Sequence, residues 1–414
     1  MACQIAEYGS PTNYVFLHVE MFYNPDNVRR FGTLLWGDEV FGDAGGSGAA
    51  RWVDVTEYVA DLQILRGQQR PDAFTPSDVV TFNAVDPYGE FVTWTGEQAL
   101  ASPTVGTPTR VGFSVAATPT PGVPGWVATT LVDQITEQAD VPLRTLEIST
   151  LGTKSMLATP LFFPDRPQET AQERIQAVIT QIGFPYPIVY DPVLATINLE
   201  ADDGGSGREG AEAYASAVIE EAANSAGLQT YTDNEGTIRF ASVGFRPVGV
   251  PLFTVSNCFG TGEDAVANEI TYRMDAVEVL NVVQVINRLD PQRSAEASDN
   301  TSIALYGRRA DGYGFPLTTV NQSGTEAQLI ADQILSETKD IVNRVENVTI
   351  NTLTDERWWP LFPLFSMYDS FLIVRDEPVA DAFFAQLIGY TMAVGQSGVE
   401  MVLNTSTIPE TPDE

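Results

Sequence analysis

Side chains that could do chemistry are few in this chain, and their spacing favours no catalytic set. His18 is the one histidine in 414 residues. It lies in an apolar run typical of a strand, so we interpret it as a hydrogen-bonded structural residue. Residues 205–207 (GSG) and 395–398 (GQSG) approach a nucleophile elbow, but neither completes G-x-S-x-G. Phosphate-binding and dinucleotide-binding glycine motifs are absent from the sequence. Nucleophilic catalysis with a histidine base and His-based zinc chemistry are therefore excluded.

Acidic residues offer two further kinds of chemistry. Paired carboxylates such as Glu220–Glu221 and Asp376–Glu377 could serve a glycosidase, but with 55 acidic residues such pairs arise by chance. Asp202 and Asp203 precede two glycines and could hold calcium, yet EF-hand spacing is absent and a solvated turn is the favoured interpretation. We predict no catalytic, cofactor-binding or metal-ligating residues, and therefore no enzyme.

Aromatic, sulfur and amide side chains complete the candidates. Trp358 and Trp359 could stack a sugar or anchor a partner protein, and packing in the core or at an interface is the favoured interpretation. Cys3 and Cys258 form no disulfide framework or metal cluster, and we predict two free thiols. N-x-[ST] sequons, which matter only if the host glycosylates surface proteins, begin at Asn300, Asn321, Asn347 and Asn404.

The charge of the chain is strongly negative. It carries 55 Asp and Glu against 22 Lys and Arg, a formal net charge of -33. Such a chain does not hold a polyanion by neutralising phosphates, so sequence-reading nucleic-acid binding is excluded. Three interpretations stay open: a solvated surface, adaptation to molar salt, where the Debye length falls to roughly 3 Å, and a wall past which DNA slides. No stretch of 18 apolar residues predicts a membrane span.

Elements that would position these residues follow from periodicity and turn signals. Short alternating runs with turns between them predict strands over the first 130 residues and over most of the last third. Helices are predicted over Leu131–Ala139, Thr170–Ile182, Arg208–Ala226 and Thr325–Glu337. The second of these has a capping box at Thr170 and Glu173 and a glycine C-cap, and the last has a capping box at Thr325 and Gln328.

Composition shifts along the chain predict three domains. The segment 117–125 (ATPTPGVPG) carries three prolines and two glycines and is typical of a linker. We predict a first β domain over residues 1–125, an α+β insert over 126–250 with a hairpin at Leu228–Ala241, and a second β domain with one helix over 251–414. The predicted fold class is β-rich α+β.

Several segments, taken in chain order, resemble baseplate-hub and minor tail proteins of tailed viruses, including phages and haloarchaeal viruses. The opening strands of such proteins are matched by Trp52–Val59 (WVDVTEYV), Leu62–Gly67 (LQILRG) and Val79–Asp86 (VVTFNAVD). The helical insert with its hairpin is matched by Ile175–Gly183, Ala213–Gly227 and Tyr231–Phe240 (YTDNEGTIRF). The second tube-like domain is matched by Val279–Asn287, Ile303–Arg309 (IALYGRR), Ala327–Leu335 and Asn347–Leu353.

The resemblance implies a homotrimer in which each subunit carries two related tube-like β-barrel domains flanking the insert. Six barrels would then continue the hexameric tail tube as a ring. It implies a distal tail protein, a tape-measure protein and tail fibre or spike proteins as partners, with viral DNA passing through without specific binding. The protein would be made in the host cytoplasm and reside in the virion, at the tail tip. No peptidase or lysozyme module is visible after residue 404.

Three alternatives stay open at this point. One is the hexameric distal-tail ring protein, which would carry a single tube-like domain. Another is a carbohydrate-binding adhesin that uses Trp358 and Trp359, and the third is a glycosidase.

Overall fold

A computed structural model of the chain describes most of its length. The residues it describes are 14–23, 51–67, 78–85, 105–116, 122–140, 143–161, 165–202, 214–242, 250–257, 263–273, 279–310, 317–340, 344–351, 357–364, 366–375, 381–395 and 398–409.

Strands dominate the described residues. They are β1 (Tyr14–Tyr23), β2 (Arg51–Asp54), β3 (Val59–Gly67), β4 (Val79–Val85), β5 (Pro108–Ala116), β6 (Gly125–Asp140), β7 (Leu143–Gly152), β8 (Glu169–Thr170), β9 (Asn198–Leu199), β10 (Leu228–Thr232), β11 (Ile238–Ser242), β12 (Thr254–Ser256), β13 (Ala265–Val266), β14 (Glu269–Arg273), β15 (Val282–Asn287), β16 (Ala295–Ser298), β17 (Leu317–Thr319), β18 (Arg344–Asn351), β19 (Ser370–Arg375), β20 (Asp381–Gly395) and β21 (Gly398–Pro409). The helices are α1 (Ala171–Ile182), α2 (Ala215–Ser225), α3 (Asn300–Tyr306), α4 (Gly324–Thr338) and α5 (Trp358–Leu361).

Fourteen of the described strands form one mixed sheet. Its first β unit, β1 to β7, has the order β2-β1-β5-β6-β7-β4-β3. Its second β unit, formed by β12 to β14 and β18 to β21, has the order β13-β12-β19-β20-β21-β18-β14. The two units are joined where β3 pairs antiparallel with the second half of β20. The prediction of a β-rich chain with few helices is confirmed.

Five consecutive strands of each unit repeat one pattern. The order β5-β6-β7-β4-β3 recurs as β19-β20-β21-β18-β14, in the same chain order and with every neighbour antiparallel. The flanking strands differ, because β1 runs antiparallel to β5 whereas β12 runs parallel to β19. No repeat of residue identity is visible in the sequence, so the repeat lies in the pairing.

Two smaller α+β units interrupt this sheet. The insert unit, α1 and α2 with β8 to β11, lies between β7 and β12 in the chain. The small unit, β15 to β17 with α3 and α4, lies in the connection from β14 to β18. Each has its own buried cluster, and Val320 of the small unit's chain segment is buried in the cluster of the insert unit. No helix in the described ranges is long and apolar enough to cross a membrane.

Local sequence explains why α1 forms as predicted. The Thr170 side chain accepts from the Glu173 backbone N–H while the Glu173 carboxylate accepts from the Thr170 N–H, which completes the capping box. Gly183 ends the helix with φ of 62°, a left-handed conformation that favours glycine. Ile175 and Val178 are fully buried on its inner face. The prediction of α1, and that of the β10–β11 hairpin, are confirmed.

Other sequence predictions are corrected. Leu131–Ala139 is not a helix but part of β6, because β7 pairs with this segment along its length and β5 pairs with Leu131 at its start. Helix α4 begins after Ser323, whose hydroxyl accepts from the Thr325 N–H, so Thr325 is not the N-cap. The boundary predicted at residue 125 stays a prediction; Gly125 is the first residue of β6, and residues 117–121 of the predicted linker lie outside the described residues.

Candidate functional site

One surface of the sheet extends without interruption across both β units. In the order β6-β7-β4-β3-β20-β21-β18-β14, directly paired side chains share a face. We call this surface the polar face. One of its rows follows the cross-strand partners Gln134, Ser149, Thr81, Gln63, Ala393, Glu400 and Asn351. A second row follows Thr136, Glu147, Asn83 and Asp61, and Glu269 on β14 pairs with Thr349.

Alternation along each strand buries the opposite face. Leu62, Ile64 and Phe82 are at most 1 % exposed, and Ile148 and Met392 are equally buried in the same cluster. Because successive side chains in a strand point to opposite sides, burying these residues fixes which residues line the polar face. A slip of one residue at any pair would exchange the two sets.

The charged residues in these rows have one sign. Asp61, Glu147, Glu269 and Glu400 are exposed, and no Lys or Arg occurs among the described residues of the rows above. Three of these acids line a cleft of about 690 Å³, together with Gln63, Thr81 and Asn351. The Asn83 amide donates to Asp61 Oδ1 at 2.8 Å. The surface therefore suits contact with water and repels polyanions.

Arg66 connects both β units to the insert unit. Its guanidinium is fully buried and donates to Asp78 Oδ2 at 3.0 Å, to the Val127 carbonyl at 2.5 Å and to the Thr232 carbonyl at 2.7 Å. It also donates to Asn234 Oδ1 at 2.6 Å in the turn of the β10–β11 hairpin. Burial acts to lower the pKa of Arg66, but Asp78 and Tyr390 outweigh it and the pKa is raised. The side chain is therefore charged at every working pH.

A second buried ion-pair network joins the insert unit to the small unit. Arg288 donates to Asp202 Oδ2 at 2.5 Å and to Glu221 Oε1 at 2.6 Å. Burial acts to lower the pKa of Arg288, but the two carboxylates raise it above its usual value. The Asn321 amide donates to the Ser225 carbonyl at 2.6 Å across the same boundary. The two units are thus held together by charge and by specific hydrogen bonds.

The structure gives each sequence candidate a place. His18 lies buried on β1 with Nε2 2.7 Å from Ser114 Oγ, so the prediction of a hydrogen-bonded structural residue is confirmed. Trp358 is fully buried and its Nε1 donates to the Val266 carbonyl. It therefore offers no face to a sugar. The side chain of Trp359 lies outside the described residues, as do Cys3, Cys258 and Asp376–Glu377.

The carboxylate candidates are engaged by cations of the chain. Glu220 pairs with Lys154 at 3.2 Å and Glu221 with Arg288, so they do not form a catalytic pair. Asp202 is buried in the Arg288 network and not in a solvated turn, which corrects that interpretation, and Asp203 and residues 205–207 lie outside the described residues. Within the described ranges no three His, Cys, Asp or Glu side chains group as metal ligands do.

The sequons and the GQSG segment also have structural roles. Asn321 and Asn404 are buried, so they accept no glycan in the folded chain. Gly395 pairs with Gly398 at the end of the β20–β21 hairpin, with the two intervening residues outside the described part of the chain. Asn404 lies opposite Asn347 where β21 pairs with β18.

Sequence reasoning missed both the polar face and the role of Arg66. Members of the polar face come from eight strands, and only the pairing register brings them together. Arg66 gave a usable signal, since it is the only basic residue in the run VADLQILRG of β3, and an arginine inside a buried strand requires partners.

Comparison with known proteins identifies solved structures of the same fold. A tail protein from Neisseria meningitidis MC58 superposes with a TM-score of 0.54 at 13% identity, covering 94% of this chain and 96% of that one. The 43 kDa tail protein of prophage MuSo2 from Shewanella oneidensis superposes with a TM-score of 0.53 at 11% identity, covering 95% and 98%. No family model and no curated protein matches the sequence. The chain thus has the fold of phage tail proteins.

Proposed function

We propose that this protein is the tail-tip baseplate hub of a tailed virus, a structural virion protein that continues the tail tube. Three copies, each with two β units, would form a ring of six related units around a passage for DNA. The tail-protein fold supports this assignment. The repeated five-strand pattern favours the hub over the distal-tail ring protein, which is expected to carry one such unit.

The observation that carries the proposal is the continuous polar face. Eight strands from both units present one surface with four carboxylates, and the described residues of its rows include no basic residue. In a ring built from such sheets this face would line the channel. A wall of this kind repels phosphates, so DNA slides past it without being held.

The partners of the protein follow from the same assignment. The hub would contact a distal tail protein, the end of the tape-measure protein, and fibre or spike proteins, the last through the insert unit. We propose no catalytic role, since His18 and Trp358 are structural and the Glu220–Glu221 carboxylates are held by separate cations. The burial of Trp358 also argues against the sugar-binding alternative.

Electron cryomicroscopy of assembled tails tests this function. We expect three copies per ring with the polar face toward the channel. Six copies per ring would overturn the hub assignment in favour of the distal-tail ring protein, and an outward polar face would overturn the DNA passage.

Charge reversal tests the passage directly. In virions, the combination Asp61→Lys, Glu147→Lys and Glu400→Lys is expected to slow DNA ejection severalfold while tails still assemble. The matched control reverses three exposed acids away from the polar face, Asp165→Lys, Asp332→Lys and Asp340→Lys, and is expected to eject DNA at the normal rate. Equal ejection by both variants would contradict the channel role of this face.

A further inference from the structure

The β2 end of the first β unit holds an arginine between two tryptophans. The Arg110 guanidinium on β5 lies 4.2 Å from the ring centre of Trp52 on β2 and 3.9 Å from that of Trp126 on β6. Stacking of this kind is attractive, because the faces of an indole ring are electron-rich. We call Trp52, Arg110 and Trp126, together with the carboxylate of Glu20, the Trp–Arg cluster.

Strand register assembles this cluster on the side of the sheet away from the core. Glu20 on β1 lies directly opposite Arg110. Trp126 lies opposite Gly112, two residues further along β5. A Cβ atom at Gly112 would overlap Trp126 Cε3, so the glycine leaves room for the indole to pack against the β5 backbone. Val111 is fully buried in the core, so the neighbouring Arg110 and Gly112 face the outer side of the sheet.

Only part of the hydrogen-bonding capacity of the Trp–Arg cluster is used within the chain. Glu20 Oε2 accepts from Arg110 Nε at 2.8 Å and from Arg110 Nη2 at 2.5 Å. Among the described residues, Glu20 Oε1, Arg110 Nη1 and the two indole N–H groups have no hydrogen-bond partner. None of these groups is buried, so solvent reaches them. The cluster therefore presents several donors and one acceptor to a ligand, beside two half-buried indole rings.

This combination of groups fits an uncharged pyranose sugar. Aromatic rings pack on the apolar C–H face of a pyranose, while N–H groups donate to its hydroxyl oxygens and a carboxylate accepts from a hydroxyl O–H. An anionic ligand fits less well, because Glu20 and Asp54, which pair across β1 and β2, together outweigh the charge of Arg110. The net charge of -33 also repels anions. A purely apolar ligand would leave the donors unpaired.

We propose that the Trp–Arg cluster binds an uncharged pyranose residue of a glycan. Arg110 Nη1 and the indole N–H groups donate to hydroxyls of the sugar, and Glu20 Oε1 accepts from one of them. The accessible surface of the indoles covers the C–H side of the sugar ring. The site is separate from Trp358, which is buried. Sugar binding here adds a function to the tail protein and is independent of the number of copies in a ring.

Saturation-transfer NMR with the full chain tests this site. The uncharged probes are the methyl pyranosides of glucose, galactose, mannose and N-acetylglucosamine, and the charged probe is methyl glucuronide. We expect saturation transfer to the ring protons of at least one uncharged probe. Arg110→Lys keeps the charge but loses the planar fork, and is expected to weaken binding about tenfold. The matched control is Arg308→Lys at an exposed arginine of the small unit, which is expected to bind as the natural chain does.

A second variant, Trp52→Ala, removes one stacking surface and is expected to abolish the transfer. Circular dichroism shows whether it folds, and Arg110→Lys decides the test if it does not, because a cation then remains between the rings. Undiminished transfer from Arg110→Lys would overturn the proposal, and transfer to the glucuronide alone would overturn the choice of an uncharged sugar. Absence of transfer to every probe would also overturn it. If tails of Arg110→Lys then fail to assemble, the cluster is a contact between virion proteins.

Discussion

At the scale of single residues, buried charge fixes how the units are arranged. Arg66 donates to Asp78, which directly precedes β4, and to acceptors in β6 and in the β10–β11 hairpin. Its guanidinium lies 5.8 Å from the ring centre of Tyr390 in the second β unit. One side chain thus contacts three units. A buried ion pair is weak evidence for stability by itself, but removing one partner leaves an uncompensated charge in the interior.

We predict that Arg66→Met lowers the free energy of unfolding by about 3–5 kcal/mol, because Asp78 stays buried without its cation. Urea denaturation followed by fluorescence measures the change. The matched control is Arg308→Met, which removes the exposed pair with Glu296 and is expected to cost about 0–1 kcal/mol. Equal effects of the two substitutions would contradict a special role for Arg66.

At the scale of elements, close approach of backbones sets where the two β units join. Gly67 ends β3 opposite Gly389 of β20, with φ of 63°. A Cβ atom at this position would overlap the Met367 side chain and the Ile388 carbonyl. Glycine is required here both for its left-handed backbone and for the missing side chain.

We therefore predict that Gly67→Ala destabilises the chain more than Gly183→Ala does. Gly183 has nearly the same φ, 62°, but open space around its Cβ position. The difference between the two midpoints in urea isolates the overlap from the backbone strain, which costs on the order of 1 kcal/mol at either site. If Gly183→Ala proves as costly as Gly67→Ala, the junction tolerates a side chain and the close approach is not a constraint.

The helices and strands differ in how well the local sequence predicts them. Helix α1 follows from signals within 14 residues, because Thr170, Glu173 and Gly183 act locally. Strand β6 was misread as a helix, since Leu131, Val132 and Ile135 satisfy a helical spacing equally well, and only strands distant in the chain decide between the two. The polar face depends on register, so alternation in β3 or β20 predicts which residues share a side but not which residues meet.

At the scale of the whole molecule, the distribution of charge explains the acidity. Several arginines form ion pairs with acids in the interior: Arg66 pairs with Asp78, Arg174 with Glu169, and Arg288 with Asp202 and Glu221. Acids in excess of these pairs remain at the surface, including the four of the polar face. Their mutual repulsion opposes the compact state, and closing several copies into a ring would bring more of them together.

Screening of this repulsion gives a prediction for the whole chain. The Debye length falls from about 10 Å in 0.1 M salt to roughly 3 Å or less in molar salt. We expect the thermal midpoint to rise between 0.1 M and 2 M KCl by more than about 2–4 °C, the shift that 1 kcal/mol produces in a domain of 150–250 residues. Calorimetry at the two salt concentrations measures it.

A fourfold variant should reduce this rise, because it removes repulsion where the strands bring four charges onto one face. Its substitutions are Asp61→Asn, Glu147→Gln, Glu269→Gln and Glu400→Gln. Equal midpoints for the natural chain at both salt concentrations would refute adaptation to high salt, whereas an undiminished rise in the fourfold variant would place the repulsion elsewhere on the surface.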